Sequence, residues 1–289
     1  MYPYIPACEH VFSLGISQSA RYQQAMFDLC FSDTESTDRR SDHPSDRVDD
    51  AQLPWETAGQ YGGWGGHEWF GTAPGTTQVP VVFVHGNQCD ASDWTETCEQ
   101  FIEAGYRGDD LWAITFAEST PTHAEMAAQL DEFVAELRSD TGAESVMVVA
   151  HSLGVTGVRY WLSERDRYDW VETFVGLAGA NHGVSWATLC CKSGLDSGPF
   201  QVSGFLRDDY DRYTNHPLSE LNDNETPGEI DYYTIRGRYD SLFWVDQASP
   251  RLDGAVENVV LPTDHNGVRD SAAAVERIFS WVTPDACGA

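Results

Sequence analysis

The stretch VMVVAHSLGVTGVRYWL, from Val146 to Leu162, constrains the fold more than any other part of the sequence. A short apolar run rich in valine predicts a strand buried on both faces, and the apolar spacing after Ser152 predicts a helix. A sharp turn between the two requires small flanking residues, and Ala150 and Gly154 are small. Such a turn exposes the serine hydroxyl as a nucleophile, whereas the alternative is that Ser152 only caps the helix.

Strands and helices alternate along most of the chain. A helix is predicted for residues 121–142, because Thr122 and Glu125 form a capping box and Gly142 ends the apolar periodicity. A last helix is predicted over SAAAVERIFSWV. The predicted strands are TQVPVVFVHGN, DLWAITF, SVMVVA, VETFVGLA, IDYYTIRG and VENVVLP. This order predicts an α/β fold with a mostly parallel sheet flanked by helices.

Three regions depart from this alternation. Residues 1–60 are predicted to be an N-terminal extension, in which the polar and charged segment 32–54 forms an exposed loop. YGGWGG is too rich in glycine for a regular element, which we expect to begin only at His67–Phe70. Residues 181–229 contain no strand pattern, so they are expected to form a loop-rich insertion within a domain spanning 61–289.

A serine, an acid and a histidine follow successive predicted strands. Asp240 comes after YYTIRG, and His265 comes after VENVVLP and before the last helix. A serine nucleophile needs a base to take its proton, and the base needs a carboxylate to fix its tautomer. Because the carboxyl ends of parallel strands meet at one edge, the sequence predicts a triad of Ser152, Asp240 and His265.

Other residues compete for these roles. Asp246 is the rival acid, although it lies in the apolar stretch SLFWVDQ, and Asp264 adjoins His265 and is expected to point elsewhere. His182, in GANHG, is the rival base, but no loop leading into a helix frames it. We expect His85 and His151 to orient loops through hydrogen bonds.

Two backbone N–H groups are candidates for an oxyanion hole. One belongs to Leu153, directly after the serine, and the other to Asn87, in the loop VHGNQ where Gly86 lets the chain turn. The alternative for that loop is an ordinary glycine turn at the end of a strand.

The insertion leaves a strand at the edge that carries Ser152, so we expect it to border the active-site mouth, with Trp186 near the pocket. Tryptophans that are candidates for a substrate groove are Trp64, Trp94, Trp186 and Trp244.

The charge excludes one class of partner. There are 46 Asp and Glu residues against 17 Lys and Arg, a net charge of −29, and Lys192 is the sole lysine. Nucleic acid binding requires clustered cations, so nucleic acid is not an expected partner. Like-charge repulsion over such a surface predicts a fold that salt stabilises, as in proteins from salt-loving organisms. No apolar run in the sequence is long enough to cross a bilayer.

The seven cysteines predict disulfides and an oxidising compartment. The number is odd, so at least one is expected to be free or paired with another chain. Cys89 and Cys98 are candidates for a short bridge, whereas the adjacent Cys190 and Cys191 are expected to face different partners. No C-x-x-C pair or strong calcium loop occurs, so no metal site is predicted. The start MYPYIPACEH lacks the features of a signal peptide, although a signal can have been removed.

Five segments together resemble the α/β-hydrolase lipases of bacterial lipase class 2, and they are VVFVHGN, VVAHSLGV, GLAGANHG, YYTIRGRYD and DHNGV. Lipases with Ala-His-Ser-Met-Gly share the alanine at position 150. YGGWGG ahead of VHGN also resembles the lipase-like depolymerases of poly(3-hydroxybutyrate). The resemblance covers roughly residues 61–282 and implies a serine esterase that needs no cofactor and is usually secreted, so we expect an extracellular location. A polyester depolymerase is the alternative, and a non-catalytic binding protein with a broken triad is the alternative of another class.

Overall fold

A computed structural model describes residues 47–49, 52–194 and 196–283. Within them a seven-stranded sheet has the order β1-β3-β2-β4-β5-β6-β7. All neighbouring strands are parallel except β1, which runs antiparallel to β3. The strands are β1 (Tyr61–Gly65), β2 (Val81–Val84), β3 (Leu111–Phe116), β4 (Val146–His151), β5 (Val171–Leu177), β6 (Asp231–Gly237) and β7 (Glu257–Leu261). The predicted mostly parallel α/β sheet is therefore confirmed.

Helices connect and cover these strands, and the two longest pack against each other. The longest begins with the predicted capping box, in which Glu125 N–H donates to Thr122 Oγ1 and Thr122 N–H donates to the Glu125 carboxylate. It ends at Gly142, whose φ of 73° allows the left-handed cap. The α-helices are α1 (Gly66–Phe70), α2 (Thr95–Glu103), α3 (His123–Thr141), α4 (Leu153–Arg165), α5 (Ser185–Lys192), α6 (Pro217–Asn222), α7 (Gly267–Asp270) and α8 (Ala272–Val282).

The glycine-rich segment YGGWG forms a strand, so the expectation of no regular element before His67 is wrong. Tyr61 to Gly65 pair with β3 and are fully enclosed by the fold. At Gly63, a Cβ atom would overlap the carbonyl oxygen of Ala113 on β3. The glycine there allows close approach to the neighbouring strand, rather than breaking the element.

The insertion has short helices in place of strands. Between the end of β5 and the start of β6, the described residues contain α5, α6 and three-residue or longer 3₁₀ turns. Val184 and Arg207 form an isolated bridge within this region. The buried Arg159 on α4 donates to the carbonyl oxygen of Leu221 and to Asn222 Oδ1 at the end of α6, which ties the insertion to the core.

The cysteines that the structure describes form no disulfide with one another, and they are Cys89, Cys98, Cys190 and Cys191. The predicted bridge between Cys89 and Cys98 is therefore not formed. Cys190 is buried and Cys191 is half-buried, so the two side chains have different surroundings. Cys8, Cys30, Cys287 and most of the predicted exposed loop at 32–54 lie outside the described residues.

Three buried histidines make the fold sensitive to acid. Burial lowers the pKa of His85 to about 4 and that of His123 to about 3, from 6.5, and it also lowers the pKa of His151. The unfolded chain therefore binds protons below pH 6.5 that the folded chain does not. The free energy of unfolding should fall by about 1.4 kcal/mol for each histidine as the pH drops from 7.5 to 5.5.

Urea unfolding between pH 7.5 and 5.5, above the range in which surface carboxylates titrate, measures this dependence. In a matched variant, His123→Gln, the amide can still donate to Thr156 Oγ1, as His123 Nε2 does at 2.9 Å. This variant should lose less stability than the wild type over the interval, by about 1.4 kcal/mol. Stability that stays flat or rises over this interval would contradict the prediction.

Candidate active site

Ser152 occupies a strained turn between β4 and α4. Its backbone has φ 55° and ψ −120°, a conformation that side-chain-bearing residues rarely adopt, and its side chain makes no capping hydrogen bond. The helix-cap alternative is therefore wrong. A Cβ atom at Gly86 would lie 3.0 Å from Ser152 Cβ, and one at Gly154 would overlap the carbonyl oxygen of His85. Small residues at these positions let the strand, the turn and the neighbouring loop approach closely.

The structure brings together the three residues of the predicted triad. The Ser152 Oγ to His265 Nε2 distance is 2.9 Å, and the His265 Nδ1 to Asp240 Oδ2 distance is 2.7 Å. Asp240 is 3% exposed and His265 is 4% exposed. A carboxylate only accepts, so the proton of His265 lies on Nδ1, and Nε2 is left to accept the hydroxyl proton of Ser152. This arrangement prepares the imidazole to act as a base.

His151 contacts both the main chain and the ring of His265. Its Nε2 donates to the main-chain carbonyl oxygen of His265 at 2.9 Å, and the two ring centroids are 4.8 Å apart. Burial lowers the pKa of His151, so its ring is neutral and does not repel a protonated His265.

His85 orients the end of β2. Phe116 N–H donates to His85 Nε2 at 3.1 Å, so the ring proton lies on Nδ1, which donates to the carbonyl oxygen of Gly86 at 2.7 Å. The expectation that His85 and His151 orient loops agrees with these contacts.

The two rival acids have other partners. Asp246 accepts from Ser185 N–H at 2.8 Å and from Ser185 Oγ at 2.7 Å, at the beginning of α5. Asp246 therefore joins the loop after β6 to the insertion. Asp264 accepts from Gly267 N–H at 2.8 Å, whereas His265 Nδ1 contacts Asp240.

The rival base lies in a separate hydrogen-bond network. His182 Nδ1 is 3.1 Å from the carbonyl oxygen of Ser249, and Nε2 is 2.9 Å from Glu225 Oε1. Both ring nitrogens are thus engaged within the insertion and the loop that packs on it.

The candidate oxyanion residues lie at the same pocket as Ser152. Asn87 and Leu153 both line it. Leu153 is the first residue of α4, where N–H groups have no acceptor within the helix, and the positive end of the helix dipole adds to their field. The Asn87 side chain contacts the insertion, where its Nδ2 donates to the carbonyl oxygen of Pro199 at 3.2 Å.

The pocket beside Ser152 has mostly apolar walls, and the space of about 400 Å³ between them is partly open to solvent. Trp186 lies in its wall, as the sequence predicted, whereas Trp64 and Trp94 are buried in the core. A second pocket, beside Arg159, includes none of the triad residues. Besides Asn87, Ser152, Leu153 and Trp186, the residues that line the pocket are Ala178, Ala180, Val184, Val202, Leu206, Leu242 and Phe243.

Sequence reasoning missed the pocket walls that follow the acid. Leu242 and Phe243 come directly after Asp240, whose Oδ1 accepts from Leu242 N–H at 3.0 Å. The apolar run SLFWV in a loop between two strands was a usable signal, because a loop has little reason to be apolar unless it borders a cavity or a partner.

Two features are absent from the part of the chain that the structure describes. No group of three or more His, Cys, Asp or Glu side chains there is arranged to hold a metal ion. Among the helices in that part of the chain, none has both the length and the apolarity needed to cross a membrane.

The comparisons with known proteins agree with this architecture. Residues 78–250, more than half of the chain, match the family described as Lipase (class 2). The mature lipase BlEst2 of Bacillus licheniformis superposes with a TM-score of 0.52 at 19% identity, over 70% of this chain and 90% of that chain. Lipase B of Aspergillus fumigatus superposes with a TM-score of 0.52 at 14% identity, over 68% of this chain and 50% of that chain. The structural likeness concerns the α/β-hydrolase fold, and the family match identifies the chain: it belongs to the class 2 lipases, hydrolases of the lipase and esterase type.

Proposed function

We propose that this protein is a serine carboxylesterase that works through an acyl-enzyme. Ser152 Oγ attacks the ester carbonyl carbon while His265 Nε2 takes the hydroxyl proton. His265 then gives that proton to the leaving alcohol as the carbon–oxygen bond breaks. A water molecule, deprotonated by the same nitrogen, attacks the acyl-enzyme and releases the carboxylic acid and Ser152.

The observation that carries this proposal is the continuous hydrogen-bonded chain from Ser152 through His265 to Asp240. Its two links measure 2.9 Å and 2.7 Å, and two of its three side chains are buried. A nucleophile, a base and an orienting acid at hydrogen-bonding distance are the parts that acyl transfer requires. The N–H groups of Leu153 and Asn87 are the proposed donors to the oxyanion.

The apolar pocket supports an acyl chain or another apolar group as the part of the substrate that binds beside Ser152. We propose that Trp186 contacts this group, because it forms part of the pocket wall. Hydrolysis of p-nitrophenyl esters with acyl chains of graded length tests the activity. We expect turnover well above the uncatalysed rate, with a dependence of kcat/KM on chain length that Trp186→Ala changes. Absence of turnover with every ester would favour a non-catalytic binding protein instead.

Exposed apolar residues that directly follow the pocket wall in the sequence favour a second candidate, a depolymerase that acts on an insoluble polyester. Trp244 is 73% exposed and Val245 is 71% exposed, and they directly follow the wall residues Leu242 and Phe243. Asp246 anchors this loop to α5. An apolar surface held beside a pocket can rest on a water-insoluble ester while one chain of it enters the pocket.

A matched pair of valines tests this second candidate. Val245→Ser should slow hydrolysis of a poly(3-hydroxybutyrate) film several-fold and leave hydrolysis of a soluble p-nitrophenyl ester unchanged. The control is Val256→Ser, because Val256 is 61% exposed but precedes β7, at the edge opposite Ser152. It should change neither rate. Equal rates on film for the wild type and both variants would count against a docking role for Val245.

A further inference from the structure

The loop after β2, which carries Asn87, is held in a strained conformation. Gln88 has φ 59°, which is uncommon for a residue with a side chain and persists only where surrounding contacts fix it. One such contact is the hydrogen bond from Gln88 N–H to the carbonyl oxygen of Ser119 at 2.6 Å. The position of the Asn87 N–H therefore depends on contacts that hold the next residues of the loop.

Arg47 supplies further contacts of this kind. Its Nη2 donates to the carbonyl oxygen of Cys89 at 2.8 Å, and its Nε donates to the carbonyl oxygen of Phe116 at 3.2 Å. A third nitrogen, Nη1, lies 4.0 Å from Asp90 Oδ2. The planar guanidinium thus joins the loop after β2 to the last residue of β3.

Further contacts hold both the Phe116 peptide and the backbone of Arg47 in place. The Phe116 peptide is held from both sides, because its N–H donates to His85 Nε2 while its carbonyl oxygen accepts from Arg47. The backbone at Arg47 packs against β1, where a Cβ atom at Gly62 would overlap the carbonyl oxygen of Arg47. Arg47 is therefore held at both ends, because its backbone packs against β1 and its guanidinium is hydrogen-bonded to its acceptors.

We propose that Arg47 is a positioning residue for the oxyanion hole, acting through the backbone of the loop that presents the Asn87 N–H. This inference rests on the proposed esterase function. Arg47 lies in the N-terminal extension, outside residues 78–250, the segment that matches the family. The proposed positioning contact is therefore made by a part of the chain that the family match does not include.

Loss of the guanidinium should affect the transition state more than substrate binding. The oxyanion forms only as the reaction proceeds, so a displaced N–H lowers kcat and leaves KM nearly unchanged. Removal of one complete oxyanion donor costs about 100-fold to 1,000-fold in kcat. A loop that is displaced rather than removed should cost less, about 10-fold to 100-fold.

The test compares Arg47→Gln and Arg47→Lys with the matched control Arg167→Gln. Arg167 has a side-chain exposure of 31%, against 30% for Arg47, and it pairs with Asp131 at 2.7 Å near the start of β5, at the edge opposite Ser152. Kinetics on a p-nitrophenyl ester, well below the melting temperature, should show the kcat loss for both Arg47 variants and none for the control. If Arg47→Gln does not fold, Arg47→Lys carries the test, because an ammonium keeps the charge but does not provide the guanidinium fork.

Two additional readouts separate positioning from general disruption. Inactivation by a p-nitrophenyl organophosphonate should slow in parallel with kcat, because its phosphoryl oxygen occupies the same hole. The apparent pKa in the pH–rate profile should stay where it is, because the contacts between His265 and Asp240 are untouched. Folded Arg47 variants with wild-type kcat would overturn this inference alone, whereas a wild-type protein that hydrolyses no ester would overturn the esterase proposal, and a fully active Ser152→Ala variant would overturn the role of Ser152 in it.

Discussion

Replacing Ser152 with alanine is expected to reduce ester hydrolysis by about 10,000-fold or more, because the variant lacks the proposed nucleophile. The fold should persist. The Ser152 side chain makes no capping hydrogen bond, and alanine has a Cβ atom like that of serine, so the strained turn gains no new clash. Any residual rate should reflect binding and the oxyanion donors alone.

Initial rates with a p-nitrophenyl ester, beside a thermal melt of both proteins, check this prediction. The melting temperatures should agree within a few degrees while the rates differ by orders of magnitude. Turnover near the wild-type rate in the folded variant would show that another residue is the nucleophile.

Replacing Asp240 with asparagine is expected to have the second largest effect, and replacing Asp246 a far smaller one. In Asp240→Asn the amide group can face His265 Nδ1, so that the imidazole loses the tautomer in which Nε2 accepts from Ser152. In serine proteases the same substitution leaves the histidine in the wrong tautomer and lowers kcat by about 10,000-fold, and we expect a loss of that size here. The 2.7 Å contact and the nearly complete burial of Asp240 leave water little access to replace the carboxylate.

Asp246→Asn is the matched control, because it makes the same chemical change in the same loop. Asp246 contacts Ser185 and not His265, so its loss should weaken the junction between this loop and α5. We expect a lower melting temperature or a raised KM, with kcat largely retained. The reverse ranking of the two variants in kcat would reassign the acid.

The parts of the fold that sequence predicted are those with local or periodic signals. β4 and α4 meet at Ser152 because apolar runs and small residues there leave few other conformations. The order of Ser152, Asp240 and His265 on strand ends then implied their convergence, because parallel strands share one carboxyl edge.

Features that depend on distant partners escaped prediction. β1 was missed because its glycines have the composition of a loop, and only the close approach of β3 and of the backbone at Arg47 explains them. Arg47 contacts residues 42 and 69 positions away, so nothing near it in the sequence indicated a role. Asp246 was considered as an acid, and its contact with Ser185, 61 residues earlier, was not foreseeable from spacing.

Covalent labelling tests the central claim, that Ser152 is a nucleophile activated by His265 and Asp240, most directly. In the reaction with a p-nitrophenyl organophosphonate, Ser152 Oγ attacks phosphorus, His265 takes the proton and p-nitrophenolate leaves. Intact-mass measurement with peptide mapping should find one phosphonyl group per chain, on Ser152, with activity lost in proportion to labelling. Asp240→Asn should label far more slowly, and Asp246→Asn at nearly the wild-type rate. A label on another residue, or full labelling with activity intact, would contradict the claim.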